Sequence, residues 1–505
     1  MKDHSATSLA ACLALAVTQT ALAGTDTFFT PLTESAQVTL PDSDEEINAP
    51  WVVPPGVTQN NLTSMVEIEA DIKQSVVRAP GAGTQGSMWD MVSFDSKGEN
   101  IFIPHEAPWG AGGSRYNIKK DKNDVLFSGD SGGMNEDWSR DWGAFDPSTY
   151  TPNGTVFFAE EWTAEGRVLE VLNPHAKIDD IRVRELESIA NVSHEGLRFS
   201  ADGKTLYFVD EWNSGAIYKI RFRNKSRYGR GGQTFVLAVN AFDGDPAANY
   251  NEGVNPGKTR VGMATWVPIT NKNGIPITIS NPYRNGPTDD PRTNPNTRGG
   301  RAAADEVNGT PYGRPEDIEV GKLKNGKAVI YFCATSEQTI YSIEELGHRN
   351  AMVRVFASES VTPKNLGYPA TTGTLNSPDN LAQDALGNIF VVEDAPNSSD
   401  TGGDIWFARD VNGDGVAESL DHFMSNRVEG SESTGMIFNP AKPTRFVMAI
   451  QHPDSTDIPG GTGDALWSFN LRNVELPAAC NDEPARSQNS GCNYVRLLFA
   501  TQLGI

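Results

Sequence analysis

Short runs of β-prone apolar residues, each opened by a turn residue and closed by an acid or a polar pair, recur along most of the chain. Six copies stand out: Gly98 to Glu106 (GENIFIPHE), Gly154 to Glu161 (GTVFFAEE), Gly203 to Glu211 (GKTLYFVDE), Gly326 to Glu337 (GKAVIYFCATSE), Gly387 to Asp394 (GNIFVVED) and Thr444 to His452 (TRFVMAIQH). Apolar runs of this length between Gly, Asn and Asp read as strands. They recur at about 50 to 60 residues, the length of a four-stranded propeller blade, with one wider gap. That gap holds a Gly-, Pro-, Asn- and Arg-rich stretch, residues 223–310, which reads as a long insertion. The pattern predicts an all-β chain: a six-bladed β-propeller over residues 85–475. Residues 24–84 are expected to wrap the ring or close a blade, and residues 476–505 to form a tail.

A second polar motif stands ahead of four of these strands: His194-Glu195-Gly196, Arg314-Pro315-Glu316-Asp317, Ser377-Pro378-Asp379-Asn380 and Glu432-Ser433-Thr434-Gly435. Each precedes its strand-end group by about 14 to 21 residues, one hairpin out and back, so both groups emerge at the same end. The first strand of a blade is innermost, which sets Glu195, Glu316, Asp379 and Glu432 around the channel. Glu106, Glu160, Glu161, Asp210 and Glu211 are expected beside them. Carboxylates crowded in this way raise one another's pKa unless cations neutralise them. Oxygen ligands in this number suit several calcium ions better than zinc, which favours nitrogen and sulfur. Acids merely scattered over solvated strand ends would leave the paired positions, and the adjoining Arg314, Asn380 and His452, unexplained. A separate stretch, Asp410-Val411-Asn412-Gly413-Asp414-Gly415 with Glu418 and Asp421, fits the start of a calcium-binding loop, or else a plain Asp/Asn/Gly turn.

Composition narrows the partners. The formal charge of −23 argues against nucleic acid, whose phosphates demand clustered Lys and Arg, and favours cations. Met1-Lys2, the apolar run Leu9 to Val17 and Ala21-Leu22-Ala23 have the layout of a secretory signal over residues 1–23, implying a periplasmic or extracellular protein. Leu9-Ala10-Ala11-Cys12 also has the form of a lipoprotein box, placed too near Met1 to leave an apolar segment ahead of the cysteine. No later stretch reaches the roughly 20 apolar residues of a membrane span. Cys480 and Cys492 bracket a polar loop that an oxidising compartment would staple, whereas Cys333 lies within an apolar strand and reads as core.

With those residues in view, the chain resembles the PhoX family of alkaline phosphatases from about Trp89 to Leu471. The resemblance rests on PHE at 104–106, TPNGTVFFAEE at 151–161, HEGLRFSADGKTLYFVDE at 194–211, GRPED at 313–317, SPDNLAQDALGNIFVVED at 377–394, and SESTG with AIQHP near the end. It implies a six-bladed propeller that hydrolyses small phosphomonoesters at calcium and iron ions. Carried over by motif, Glu106, Glu195, Glu316 and Glu432 would be metal ligands, Arg314 would hold the phosphate, and Asn380 and His452 would sit beside it. Two departures bear on the metal. The family has an iron-binding cysteine just before the paired glutamates, where this chain has Ala159, and its usual twin-arginine signal is absent from Met1 to Ser8. A calcium centre filled outside the cytoplasm, in a monomeric enzyme, is therefore the expectation. Another hydrolase on the same scaffold, such as a phosphodiesterase, phosphotriesterase or lactonase, and a non-catalytic calcium-stabilised binding protein are the alternatives.

Overall fold

Alternation along the repeated strands sets the architecture. In Asn100–His105, Ile101 and Ile103 face one apolar layer and Phe102 the opposite one, and all three are fully buried. A strand buried on both faces needs a sheet on either side, which a ring of stacked blades provides. The computed structural model describes residues 24–72, 88–162, 165–283, 299–457 and 463–503, with the side chains of residues 69–72 left out. The expected signal segment, residues 1–23, lies outside the described residues.

The sheets are antiparallel meanders arranged like propeller blades. Their first strands are Ser93–Phe94, Phe145–Tyr150, Leu197–Phe199, Pro315–Lys322, Pro378–Gln383 and Glu432–Phe438. Each lies against the next, and the last lies against the first, so the ring closes. The second strands, Asn100–His105, Val156–Glu160, Thr205–Val209, Ala328–Ala334, Ile389–Glu393 and Arg445–Gln451, fall on the six sequence repeats. Separate apolar cores fill the gaps between neighbouring meanders: Phe102 and Leu126 meet Phe145 and Phe158, and Val447 and Leu466 meet Ile101 and Ile103 where the ring closes. Cys333 is buried in one of these cores.

The two ends of the chain meet. Thr58–Ser64 pairs with Ala465–Asn470 and completes the last meander, so the N-terminal segment does close a blade. Trp51–Val52 adds an outer strand to the meander before it. Phe28 stacks on Tyr494 of the tail helix Tyr494–Leu503, with centroids 3.6 Å apart, and Cys480 is bonded to Cys492.

Residues 223–310 differ from the insertion expected. Gly232–Val239 is the fourth strand of the third meander, paired with Ile217–Phe222, and Gly262–Pro268 pairs with both Gly232–Val239 and Asn350–Ser358. The third and fourth meanders thereby share one nine-stranded sheet. The run Thr234-Phe235-Val236-Leu237-Ala238-Val239 is apolar and buried, but the Gly and Arg residues ahead of it concealed its strand character in the sequence. A helix, Gly299–Glu306, follows and is buried over its first six residues. Among the described residues no helix is long and apolar enough to cross a membrane.

Candidate metal centre and active site

The inner strands present acids to the axis through a repeated backbone device. Ala144, Arg314 and Ser377 adopt left-handed φ values of 46°, 53° and 46°, each two residues before an acid: Asp146, Glu316 and Asp379. The pairing register then slips between Phe145 and Ser148, Pro315 and Ile318, and Pro378 and Asn380. A bulge at a strand's start takes a residue out of the ladder and re-aims its side chain. Left-handed backbone in a non-glycine residue costs about 1–3 kcal/mol and is retained where the surroundings hold it. The last meander bulges between Thr434 and Ile437, around Gly435 at φ 58°. A Cβ on Gly435 would stand 2.5 Å from the carbonyl oxygen of Asp90, so glycine is required for the close approach.

Every inner strand begins beside such an acid: Asp90, Asp146, Glu195, Glu316, Asp379 and Glu432. Two triads draw together, Glu106 with Asp146 and Glu161, and Glu195 with Glu316 and Asp379; in each, one carboxylate oxygen per residue lies within 4.8 Å of the others. Loss of solvent and then the facing charges hold several of these acids well above the ordinary carboxylate range. Glu316 and Asp379 do so for Glu195; Glu316, Asp90 and Glu432 for Asp379; Asp90, Glu161 and Glu106 for Asp146. Asp90 is raised by burial, Glu432 and Glu106, and Glu161 by desolvation, Glu211 and Glu106. Burial lifts Glu316 to about 6 even though Arg314 opposes it.

Arg314 is the cation at this centre. Its Nε lies 2.5 Å from Glu211 and 3.2 Å from Glu316, and its side chain remains 39 % exposed. Asn380, fully buried, donates to Asp379 at 3.0 Å and Asp90 at 3.3 Å and accepts the Gly435 N–H at 2.5 Å. It braces two carboxylates from within. Gln451 donates to Asp90 at 3.2 Å and also to Glu432. His452 lies with Nδ1 2.7 Å from the Gly430 carbonyl and Nε2 3.3 Å from Glu432. Burial alone would lower its pKa, but Glu432 and Asp464 outweigh that and raise it to about 9.

Other expected ligands are engaged elsewhere. Glu160 forms a two-pronged pair with Arg167 at 2.7 and 2.8 Å, and Asp210 does the same with Arg301 at 2.6 and 2.5 Å. In the 410–421 loop, Asp410 accepts the N–H groups of Gly413, Asp414 and Gly415, Asp414 accepts that of Val416, and Glu418 binds Val411 N–H and the Asn412 amide. Asp421 lies 3.3 Å from Arg409 and accepts from Ser419 and Thr27. The loop closes on itself as an Asx-type turn, and among the described residues its acids form no triad of the kind seen at the centre. Sequence reasoning missed Asp90 and Asp146. The hairpin spacing held the signal, since Asp90 precedes Glu106, and Asp146 precedes Glu161, by about one hairpin, as in the later repeats.

The model of the family described as Alkaline phosphatase PhoX matches residues 126–454. The chain belongs to the PhoX family of alkaline phosphatases. Its fold is similar to Pseudomonas fluorescens PhoX in complex with vanadate, a transition state analogue, at 15 % identity and a TM-score of 0.53, over 89 % of this chain and 98 % of that one. Looser likenesses are an inactive virginiamycin B lyase from Staphylococcus aureus (11 % identity, 82 % and 99 % covered, TM-score 0.39) and a gluconolactonase from Xanthomonas campestris (10 %, 90 % and 98 %, TM-score 0.40). No curated protein matches the chain.

PhoX phosphatases depend on metals, and the residues here fit a hard cation. The triads offer only carboxylate oxygens. Oδ1 of the buried Asp146 has no hydrogen-bond partner among the described residues, and Glu316 meets Arg314 through only one of its two oxygens. Buried anionic oxygens left in this state are costly unless a cation compensates them. Ala159 is fully buried in the apolar core with Val168 and Leu197.

Proposed function

We propose that this chain is an exported phosphatase that hydrolyses small phosphomonoesters at a calcium-rich carboxylate centre in the propeller channel. The observation that supports this most is the gathering of two carboxylate triads, Glu106-Asp146-Glu161 and Glu195-Glu316-Asp379, with Arg314 as an exposed cation beside them. Glu106, Asp146 and Glu161 would hold metal on one side, and Glu195, Glu316 and Asp379 on the other, with Asp90, Glu211 and Glu432 adjoining. When bound, the metal would neutralise phosphate charge and supply an activated oxygen nucleophile.

The chain's own residues have separate tasks in this reading. Arg314 binds phosphate oxygens and fixes the ester's orientation, since a planar guanidinium matches two oxygens at once. Glu211 and Glu316 hold that guanidinium in place. Asn380 and Gln451 fix the carboxylates of Asp90, Asp379 and Glu432. His452 sits against Glu432, with Nε2 3.3 Å from its carboxylate, and orients that acid.

Hydrolysis of a chromogenic phosphomonoester at alkaline pH tests the proposal, using chelator-stripped protein given calcium alone and then calcium with ferric iron. Recovery with calcium alone is the expected result. Recovery only with iron would overturn the calcium assignment. Failure of both mixtures with calcium bound would point instead to a phosphodiester, phosphotriester or lactone substrate, or to a binding role.

A further inference from the structure

A buried arginine outside the centre is joined to Arg314 through three consecutive residues. Arg301 lies on the helix Gly299–Glu306 and is 1 % exposed. Its Nε and Nη2 donate to the two oxygens of Asp210 at 2.6 and 2.5 Å, and its guanidinium carbon lies 5.1 Å from the centre of the Trp212 ring. Asp210 also accepts the Ser193 N–H at 3.1 Å. Between these two anchored residues stands Glu211, which accepts from Arg314 Nε at 2.5 Å. The carbonyl of Trp212 accepts the Arg314 backbone N–H at 3.1 Å. Residues 210 and 212 are thus held by Arg301, and residues 211 and 212 hold Arg314.

Arg314 needs such restraint. Its backbone is left-handed at φ 53°, a conformation unfavourable for a side chain of its kind, and its side chain is the exposed one. The stretch from Arg301 to Arg314 is pinned along the way by Tyr312 N–H to the Gly215 carbonyl and Gly313 N–H to Glu337, both at 2.8 Å. We infer that Arg301 is a positioning residue: its fork on Asp210 and its stacking on Trp212 set the orientation in which Arg314 meets the phosphoryl group. This rests on the phosphatase reading above. A misplacement of about 1 Å in a group that orients substrate is enough to cost up to a hundredfold in rate.

The test pairs kinetics with hydrogen exchange on the metal-loaded full chain. Arg301→Lys keeps the charge but loses the fork, and it is expected to raise both KM for a chromogenic phosphomonoester and the inhibition constant of inorganic phosphate about tenfold, with kcat changed much less. In an Arg314→Lys background the same change adds nothing further, because the guanidinium it positions is already gone. Additive losses in the double variant would overturn the inference, since a purely structural role gives them. Exchange mass spectrometry of peptides covering residues 310–316 should show faster exchange in Arg301→Lys, and unchanged exchange would contradict it. Asp210→Asn provides the same readouts if Arg301→Lys does not fold. Should the wild type hydrolyse no phosphomonoester, the phosphatase reading falls, while exchange at residues 310–316 still decides whether Arg301 holds the Arg314 segment.

Discussion

Three pairs of adjacent acids, Glu160-Glu161, Asp210-Glu211 and Glu316-Asp317, divide their members between two environments. Glu160 and Asp210 face Arg167 and Arg301, and Asp317 shares Arg198 with Glu319. Glu161, Glu211 and Glu316 turn toward the centre, where Arg314 is their cationic neighbour among the described residues and most of the others are acids. Each pair sits at a strand end or in a bulge where adjacent side chains point apart, so one pair of letters in the sequence serves both purposes. The arginine-paired acids belong to the scaffold and hold the blades in place. Among the described residues the central acids outnumber the cations beside them, an excess that would suit bound cations.

The comparison is sharpest when one acid of each kind is removed. Glu160→Ala leaves Arg167 buried without its partner and should destabilise the protein by about 3–5 kcal/mol, with or without calcium, as read by denaturant unfolding. Arg314→Ala should lower kcat/KM about a hundredfold or more while calcium-dependent stability stays nearly unchanged. Normal turnover in that variant would contradict the phosphate-binding role.

Glu195→Ala and Glu316→Ala should abolish most of the melting-temperature gain on adding calcium. A ligand at about a hundred times its Kd stabilises by about 2.7 kcal/mol, which is the size of the gain at stake. Without metal, pH provides a further contrast. Burial first of all raises Glu316 and Asp317 to about 6, above their ordinary 4.5 and 3.8. In that interval the folded state binds more protons than the unfolded one, so these two acids make stability fall as pH rises from about 4 to about 6, and the central acids held higher still extend the decline. Chelator-stripped protein should show this decline in thermal melts, and calcium should suppress the part due to Glu316. The smallest effect is expected in the 410–421 loop, where Asp414→Ala should change stability by about 0.5 kcal/mol or less and leave metal content unaltered. Loss of one calcium per chain would make that loop a site after all.

Much of this was legible in the sequence because propeller geometry is periodic. The second strands fall on the repeated motifs, and the hairpin spacing located Glu195, Glu316, Asp379 and Glu432 at the starts of inner strands. Asp90 and Asp146 escaped because Met-Trp-Asp and Ala-Phe-Asp-Pro lack the polar company that marks the later motifs. Glu160 and Asp210 were grouped with the central acids because no spacing reveals Arg167 and Arg301 as their partners; those contacts arise only from the fold. The strand Gly232–Val239 was hidden by its surroundings, since glycine and arginine ahead of it outweigh a short apolar run in any composition window.

The most direct test of the central claim is metal stoichiometry by mass spectrometry after chelation, reloading with calcium and desalting, for wild type, Glu316→Gln and Glu160→Gln. The account predicts several calcium ions in the wild type, fewer in Glu316→Gln and the wild-type number in folded Glu160→Gln. Equal metal content in all three proteins, or none in the wild type, would contradict it.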